Sequence, residues 1–190
     1  MSKKPIIVFE GIEGSGKTYH INNVVRFLKK KKIKFVKIRE PGGDKNSEKI
    51  RNLILNSNSK LHPFTDLLLY LAARNENIEN NIKKNYKKKV ILFDRFIDSS
   101  IAYQHYGMGL NLKIIKSINN FLLGKIKINY TFLHIVSIKN MKSRLKLRKK
   151  LNKYDKFNTS FYSKVQKGFI KVSKKKTRYL IIDSNKDIET

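Results

Sequence analysis

The sequence predicts an α/β fold: one domain on a five-stranded parallel sheet with helices on both faces. Three observations carry that expectation. Short apolar runs rich in β-branched and aromatic residues alternate with longer helical patterns along the 190 residues, the pattern of strands covered on both sides. The first run, Pro5-Ile-Ile-Val-Phe-Glu10, passes directly into Gly11-Ile-Glu-Gly-Ser-Gly16-Lys17-Thr18, which fits the phosphate-binding pattern G-x-x-x-x-G-K-[ST]. A later run, Val90-Ile-Leu-Phe93, ends abruptly in Asp94-Arg95, placing two charges at the carboxyl end of a buried strand.

In chain order, the strand PIIVFE leads through the glycine-rich loop into a helix over 17–31. IKFVKI follows as the second strand, then two helices over about 47–87. VILFD is the third strand, followed by two helices over 98–123. Residues 111–123 place Leu112, Ile115, Ile118, Phe121 and Leu122 at amphipathic spacing, which reads as a core stripe. YTFLHIV, two helices over 139–173 and YLIID complete the set. No linker, repeat or Pro/Gly-rich break divides the chain, and its length suits one core.

Composition narrows the classes. The absence of cysteine excludes a disulfide framework or thiolate metal site, and four scattered His residues argue against zinc. The longest uninterrupted apolar run, Leu67–Ala73, is far short of the roughly 18 residues of a membrane span. The start meets Glu10 after four apolar residues, too soon for a secretory leader, so a cytoplasmic chain is expected. The formal charge of +29 invites a nucleic-acid or anionic-membrane reading. However, 35 Lys, 24 Ile and 19 Asn against 8 Arg are the mix an AT-rich genome encodes. The Lys runs at 29–32, 87–89 and 174–176 fall at expected helix ends, where the dipole favours cations. Neither nucleic acid nor membrane is therefore expected as a partner.

Arginine is the rarer and more informative cation, because its guanidinium forks onto phosphate or a base edge. Around it the chemistry gathers. In the loop, Gly11, Gly14 and Gly16 let backbone amides face a phosphate, Ser15 lies among them, Lys17 reaches the outer phosphates and the Thr18 hydroxyl binds Mg²⁺. Asp94 is placed to hold Mg²⁺ through water, with Arg95 facing the same crevice. Ser100 and Gln104, and likewise Ser99 and Tyr103, are four apart on one helix, suited to a base edge. Tyr70 and Arg74 repeat the spacing as a stacking ring beside a forked donor.

The stretches FEGIEGSGKT, REPGG, LLLYLAAR and DRFIDSSIAYQ resemble the thymidylate kinase family, in order and across residues 5 to about 183. The resemblance implies transfer of the ATP γ-phosphate to dTMP with Mg²⁺, a sheet in the order 2-3-1-4-5 and a homodimer. It implies that Tyr70 stacks on thymine, Arg74 bonds O4, and Ser100 and Gln104 read the base edge. Tyr103, beside Ser99, packs on the deoxyribose. Arg95 and Arg51 hold the dTMP phosphate, and Arg39 and Glu40 shape its pocket. Glu13, an acid inside an anion-binding loop, meets the acceptor's 3′-OH.

Catalysis is then positioning and charge neutralisation by Lys17, Arg95 and a lid cation, since the acceptor is already an anion. The lid is expected over about 141–156, with Arg148 preferred to Arg144 as its catalytic arginine. Two departures stand out. Asn152-Lys153-Tyr154-Asp155 stands where the resemblance implies a D-R-[IL]-[ED] element, and the final helix that the resemblance implies is not expected after Asp183, where a 183–188 turn would border adenine. Neither departure is expected to touch the dTMP side. Rival readings are another (deoxy)nucleoside-monophosphate kinase, or a nucleic-acid-binding ATPase on the same scaffold.

Overall fold

The structure is a computed structural model describing residues 4–56, 58–149 and 151–186. Five strands form one sheet: β1 (Ile6–Glu10), β2 (Phe35–Arg39), β3 (Val90–Asp94), β4 (Tyr130–Ile135) and β5 (Tyr179–Asp183). Every pairing is parallel and the order is β2-β3-β1-β4-β5, as expected. The helices are α1 (Lys17–Lys30), α2 (Lys45–Leu55), α3 (Pro63–Asn77), α4 (Lys83–Asn85), α5 (Ile97–Ser100), α6 (Leu112–Leu123), α7 (Ile138–Lys146) and α8 (Thr159–Ser173).

Side-chain alternation sorts the core onto the two faces of the sheet. Ile6 and Val8 of β1 join Ile91 and Phe93 of β3 in one cluster. Phe9, Val90 and Leu92 point the other way and pack on Ile21 and Leu28 of α1. A further cluster joins Leu133 of β4 to Phe161, Val165 and Phe169 of α8; full burial of each such side chain contributes roughly 1.5–3 kcal/mol. The edge strand β5 departs from the buried pattern expected of it, leaving Leu180 and Ile181 about half exposed.

Local signals explain where the helices begin. Asp44 caps α2 through the backbone N–H groups of Asn46 and Ser47, Asn111 caps α6, Ser137 caps α7 and Asn158 caps α8. Pro63 opens α3 with its φ already set. The three Lys runs do follow helix ends, at Lys30, Asn85 and Ser173. Two details differ from the expectation. Residues Ile78–Ile82 and Ile101–Gly107 are π-helical, the second directly extending α5 across the motif that carries Tyr103 and Gln104. Phe121, read as core, is 84% exposed, because Ile115 and the half-buried Leu122 turn inward while Phe121 lies on the outer flank of α6.

The order reverses at β1, whose neighbours β3 and β4 are reached by connections running to opposite sides. A crevice outside the carboxyl ends of the strands at such a point is where open α/β sheets bind ligands. The loop after β1, Arg39 and Glu40 at the end of β2, and Asp94 and Arg95 at the end of β3 all converge there.

Candidate active site

The loop between β1 and α1 is shaped by its glycines. Gly11 has φ 138°, and a Cβ there would stand 2.4 Å from the His134 carbonyl oxygen of β4. Gly16 caps α1 at φ 81° with open space before it, leaving the first amides of the helix facing the crevice. Lys17 folds back over this loop, its Nζ donating to Gly11 O (2.9 Å), Ile12 O (2.8 Å) and Ser15 Oγ (3.3 Å). Burial, reinforced by Arg95, pushes the Lys17 ammonium down to about 7. Thr18 is exposed at the helix start and lines the same cavity as Asp94.

That cavity, of about 240 Å³, brings together Glu13, Lys17, Thr18, Arg39, Glu40, Arg51, Tyr70, Arg74, Asp94, Arg95, Ser99, Ser100, Tyr103, Gln104 and Arg148. Fifteen sequence-selected side chains from six segments thus meet in one place. Arg144 does not join them. Its guanidinium lies behind the loop, donating to Gly14 O (3.0 Å) and Ser184 O (2.7 Å), so it ties the phosphate loop to the end of β5. Arg148 lines the cavity and pairs with the buried Asp155 at 2.5 Å.

Arg95 sits at φ 67°, a conformation that costs a non-glycine residue about 1–3 kcal/mol unless its surroundings hold it. They do: Nη1 donates to Gly11 O (2.8 Å), Nη2 to Glu13 Oε1 (2.9 Å), and the guanidinium lies over the Tyr103 ring at 5.1 Å. Glu13 also accepts from the Tyr103 hydroxyl. Burial works to raise the Glu13 carboxyl, but Arg95 and Lys17 together hold it below its ordinary value. The acid in the loop is therefore an ionised anchor for the arginine on the neighbouring strand.

Arg74 is 1% exposed and donates four hydrogen bonds. Nε donates to Glu40 Oε2 (2.8 Å), an ion pair that also brings Nη2 to 2.8 Å from the same oxygen, and Nη2 donates to Phe96 O (3.1 Å). The Nη1 pair reaches Ser100 Oγ (3.0 Å) and Asn119 Oδ1 (2.5 Å). Glu40 Oε1 is buried without a partner among the described residues, and burial, opposed by Arg74, leaves this carboxyl raised. At the rim, Arg39 pairs with Glu48 at 3.1 Å, while Arg51 donates to Pro41 O at 2.6 Å.

Four positioning residues were not legible beforehand. Glu10, the last residue of β1, accepts from Phe96 N (2.9 Å), Ser99 N (3.2 Å) and Ser99 Oγ (2.6 Å), so it caps α5 from across the sheet. Burial, reinforced by Asp98, pushes its carboxyl up to about 7. Asp66 of α3 accepts from Lys153 Nζ (3.0 Å), the Tyr154 hydroxyl and Gln104 Nε2 (3.4 Å). Asn119 completes the shell of Arg74, and Tyr154 is buried against Tyr103. The scarcity of acids, 14 in the chain, is the one compositional signal attached to Glu10 and Asp66.

Asp66 also corrects one expectation. The 152–155 segment does meet residues expected on the dTMP side: Asn152 and Tyr154 line the cavity, and Tyr154 meets the Tyr70 ring edge-on at 6.1 Å. The physical reason is the buried Asp66 carboxylate, which draws both Lys153 and Tyr154 inward. Of the turn expected to border adenine, residues 187 and 188 lie outside the described residues.

The family model for thymidylate kinase matches residues 9–190. The chain belongs to the thymidylate kinase family. It is 36% identical over 185 residues to the thymidylate kinase of Kosmotoga olearia, covering 96% of this chain and 89% of that one. With the thymidylate kinase of Acholeplasma laidlawii it shares 39% over 188 residues, covering 96% and 92%. The crystal structure of thymidylate kinase from Ehrlichia chaffeensis superposes with a TM-score of 0.78 at 31% identity, covering 96% of this chain and 92% of that one. Membership of the thymidylate kinase family makes the chain a phosphotransferase of nucleotide biosynthesis that uses ATP.

Proposed function

We propose that this crevice transfers the γ-phosphate of ATP to the 5′-phosphate of dTMP, giving dTDP and ADP on the way to dTTP. The observation that carries the reading is the joining, in one cavity, of the phosphate-loop residues Lys17 and Thr18 with Tyr70, Ser100 and Gln104 on a nucleobase-sized wall. Arg51 and Arg95 line the same cavity and suit the acceptor phosphate. No general base is needed, because the acceptor oxygen is already anionic, and catalysis rests on alignment and neutralisation.

In this reading the loop amides and Lys17 hold the donor phosphates, while Arg95, anchored by Glu13, aims the acceptor phosphate. Arg148 supplies the lid cation over the transferring group. Tyr70 stacks on the base, Arg74 with Ser100 and Gln104 frames its edge, and Tyr103 with Ser99 borders the sugar. Residues Arg39 and Glu40 shape the mouth of the acceptor pocket.

Mg²⁺ fits the donor set. The Thr18 hydroxyl and Asp94 carboxylate are hard oxygen ligands on one cavity wall, and no cluster of three or more His, Cys, Asp or Glu exists among the described residues. This suits an ion held by one or two protein oxygens, phosphates and water. When bound, it would screen the phosphate charge.

We further propose a single catalytic domain with a lid at about 141–156, working as a homodimer in the cytoplasm. No described helix is long and apolar enough to cross a membrane. Support for pairing comes from exposed apolar side chains on two packed helices, Phe64 and Leu68 of α3 and Ile114 and Phe121 of α6.

Coupled ADP release across a panel of nucleoside monophosphates tests the function, with dTMP expected to give the highest kcat/KM. A better substrate than dTMP would reassign the acceptor. Turnover driven by polynucleotide without a monophosphate would instead favour a nucleic-acid-dependent ATPase.

A further inference from the structure

Gln104 is 1% exposed, lines the acceptor cavity and has a carboxamide with two unlike ends. Its Nε2 donates to Asp66 Oδ2 and to the Tyr154 hydroxyl oxygen, each at 3.4 Å. The Tyr154 hydroxyl hydrogen is itself committed to Asp66 Oδ2, so toward Gln104 this oxygen can only accept. Both neighbours of the amide nitrogen are therefore acceptors, and the carboxamide cannot turn over without setting oxygen against oxygen. Its Oε1 carries no hydrogen bond among the described residues and remains for a ligand.

One helical turn earlier, Ser100 Oγ accepts from Arg74 Nη1 at 3.0 Å and donates to nothing among the described residues, so its hydrogen is left to give. The wall thus offers a donor at Ser100 and an acceptor at Gln104. A base edge presenting a carbonyl oxygen beside a ring N–H complements that order, as thymine and uracil do at O4 and N3. Cytosine reverses both polarities, with an amino group and an unprotonated ring nitrogen.

Building on the dTMP reading above, we propose that Asp66 is a positioning residue that sets the hydrogen-bond polarity of Gln104, and so makes the site select an imide edge over a cytosine edge. It acts directly through Nε2 and indirectly by fixing Tyr154 as an acceptor. The other oxygen, Oδ1, takes Lys153 at 3.0 Å, so the same carboxylate ties the 152–155 segment to base selection. A site built around one hydrogen-bond polarity rejects the reversed one strongly, because the mismatch leaves buried groups unpaired.

The test is the ratio of kcat/KM for dTMP to that for dCMP in the full-length enzyme. Asp66→Asn lets the facing group donate as well as accept, freeing the carboxamide to turn. The ratio is expected to fall tenfold or more, mainly through a higher KM for dTMP. Asp66→Glu keeps an acceptor-only group and is expected to retain the ratio within threefold even where turnover drops. Tyr154→Phe keeps the ring packing, removes one of the two acceptors, and is expected to lower the ratio at least threefold.

A folded Asp66→Asn enzyme whose ratio stays within twofold of the wild type overturns the proposal. Should that variant not fold, an unchanged ratio in Tyr154→Phe overturns it. Wild-type preference for a nucleotide other than dTMP would instead remove the substrate reading itself, so the two failures are distinguishable.

Discussion

Glu13 and Arg95 meet across the crevice, Arg95 Nη2 donating to Glu13 Oε1 at 2.9 Å, so the glycine-rich loop after β1 also holds the arginine at the end of β3. The pair helps hold Arg95 at φ 67°, together with its bond to Gly11 O and its place over the Tyr103 ring. Glu13→Gln removes the charge while leaving a group of the same shape. Losing one charge-assisted bond of about 1.5–3 kcal/mol should raise KM for dTMP about tenfold or more and slow turnover. ATP affinity, measured by calorimetry, should stay within twofold. Weakened ATP binding with an unchanged KM for dTMP would remove this role from Glu13.

Lys17 gives a pH signature. In the free protein, burial and the nearby Arg95 bring its ammonium down to about 7, so it loses its proton as pH rises through that value. Bound phosphate oxygens favour the charged form and restore the proton. ATP binding at pH 8 should therefore take up close to one proton, and binding at pH 6 almost none. Calorimetry in buffers of different ionisation enthalpy reads the uptake directly. Lys17→Met should abolish it, and equal uptake in that variant would assign the proton elsewhere.

Glu10 predicts a stability effect of definite sign. Its folded value is raised from 4.5 to about 7, by burial first and by Asp98 beside it, against the pull of Ser99, Arg95 and the Phe96 amide. A raised carboxyl is stabilising while protonated: its contribution is complete below the unfolded value and is lost as pH climbs through about 7. Across that window the loss is on the order of 3 kcal/mol. Urea unfolding of the wild type and of Glu10→Gln, followed from pH 4.5 to 7.5, should show the wild type losing ground as pH rises. Parallel curves would mean that Glu10 does not titrate in this range.

What the sequence disclosed and what it hid divide along a physical line. The five strands and the phosphate loop were legible because periodic apolar runs and motif spacing are local properties of the chain, while the strand order and the roles of the pocket arginines came from the family resemblance. The shell beneath them was not. Asp66 meets Lys153 and Tyr154 across 87 and 88 residues, and Glu10 meets Ser99 across 89. No local pattern marks such pairs. Phe121 failed for a related reason: amphipathic spacing reports a stripe but not whether the neighbouring helix covers its edge.

The two lid-region arginines should behave differently because their partners differ. Arg148 lines the cavity and is held by the buried Asp155, as suits a cation that meets charge developing on the transferring group. Arg148→Ala should lower kcat about 10²–10³-fold, the scale of removing one preorganised transition-state donor, with smaller changes in either KM. Arg148→Lys should recover only part, since the ammonium cannot fork. Arg144 spends its guanidinium on the carbonyls of Gly14 and Ser184. Arg144→Ala should therefore act through loop geometry, raising KM for ATP and lowering the melting temperature more than it lowers kcat. A larger loss of kcat in Arg144→Ala than in Arg148→Ala would exchange the two assignments.

Pairing of two copies is the last expectation with a direct test. Phe64 and Leu68 are one turn apart on α3, and Ala72 continues the exposed stripe. Ile114 and Phe121 stand out from α6, which packs beside α3, and Phe121 is 84% exposed. A charge of +29 disfavours association of like chains through polar surface, so an apolar patch is the surface on which two copies could meet at low energetic cost. Sedimentation at moderate salt should show a dimer. Leu68→Asp combined with Phe121→Asp should shift it to monomer, while each exposed substitution leaves the core intact. Because Tyr70 and Arg74 lie on the opposite side of the same helix as Leu68, loss of the dimer should also raise KM for dTMP. A wild type that sediments as a monomer would leave the patch without this partner, and an unchanged dimer in the double variant would move the interface elsewhere.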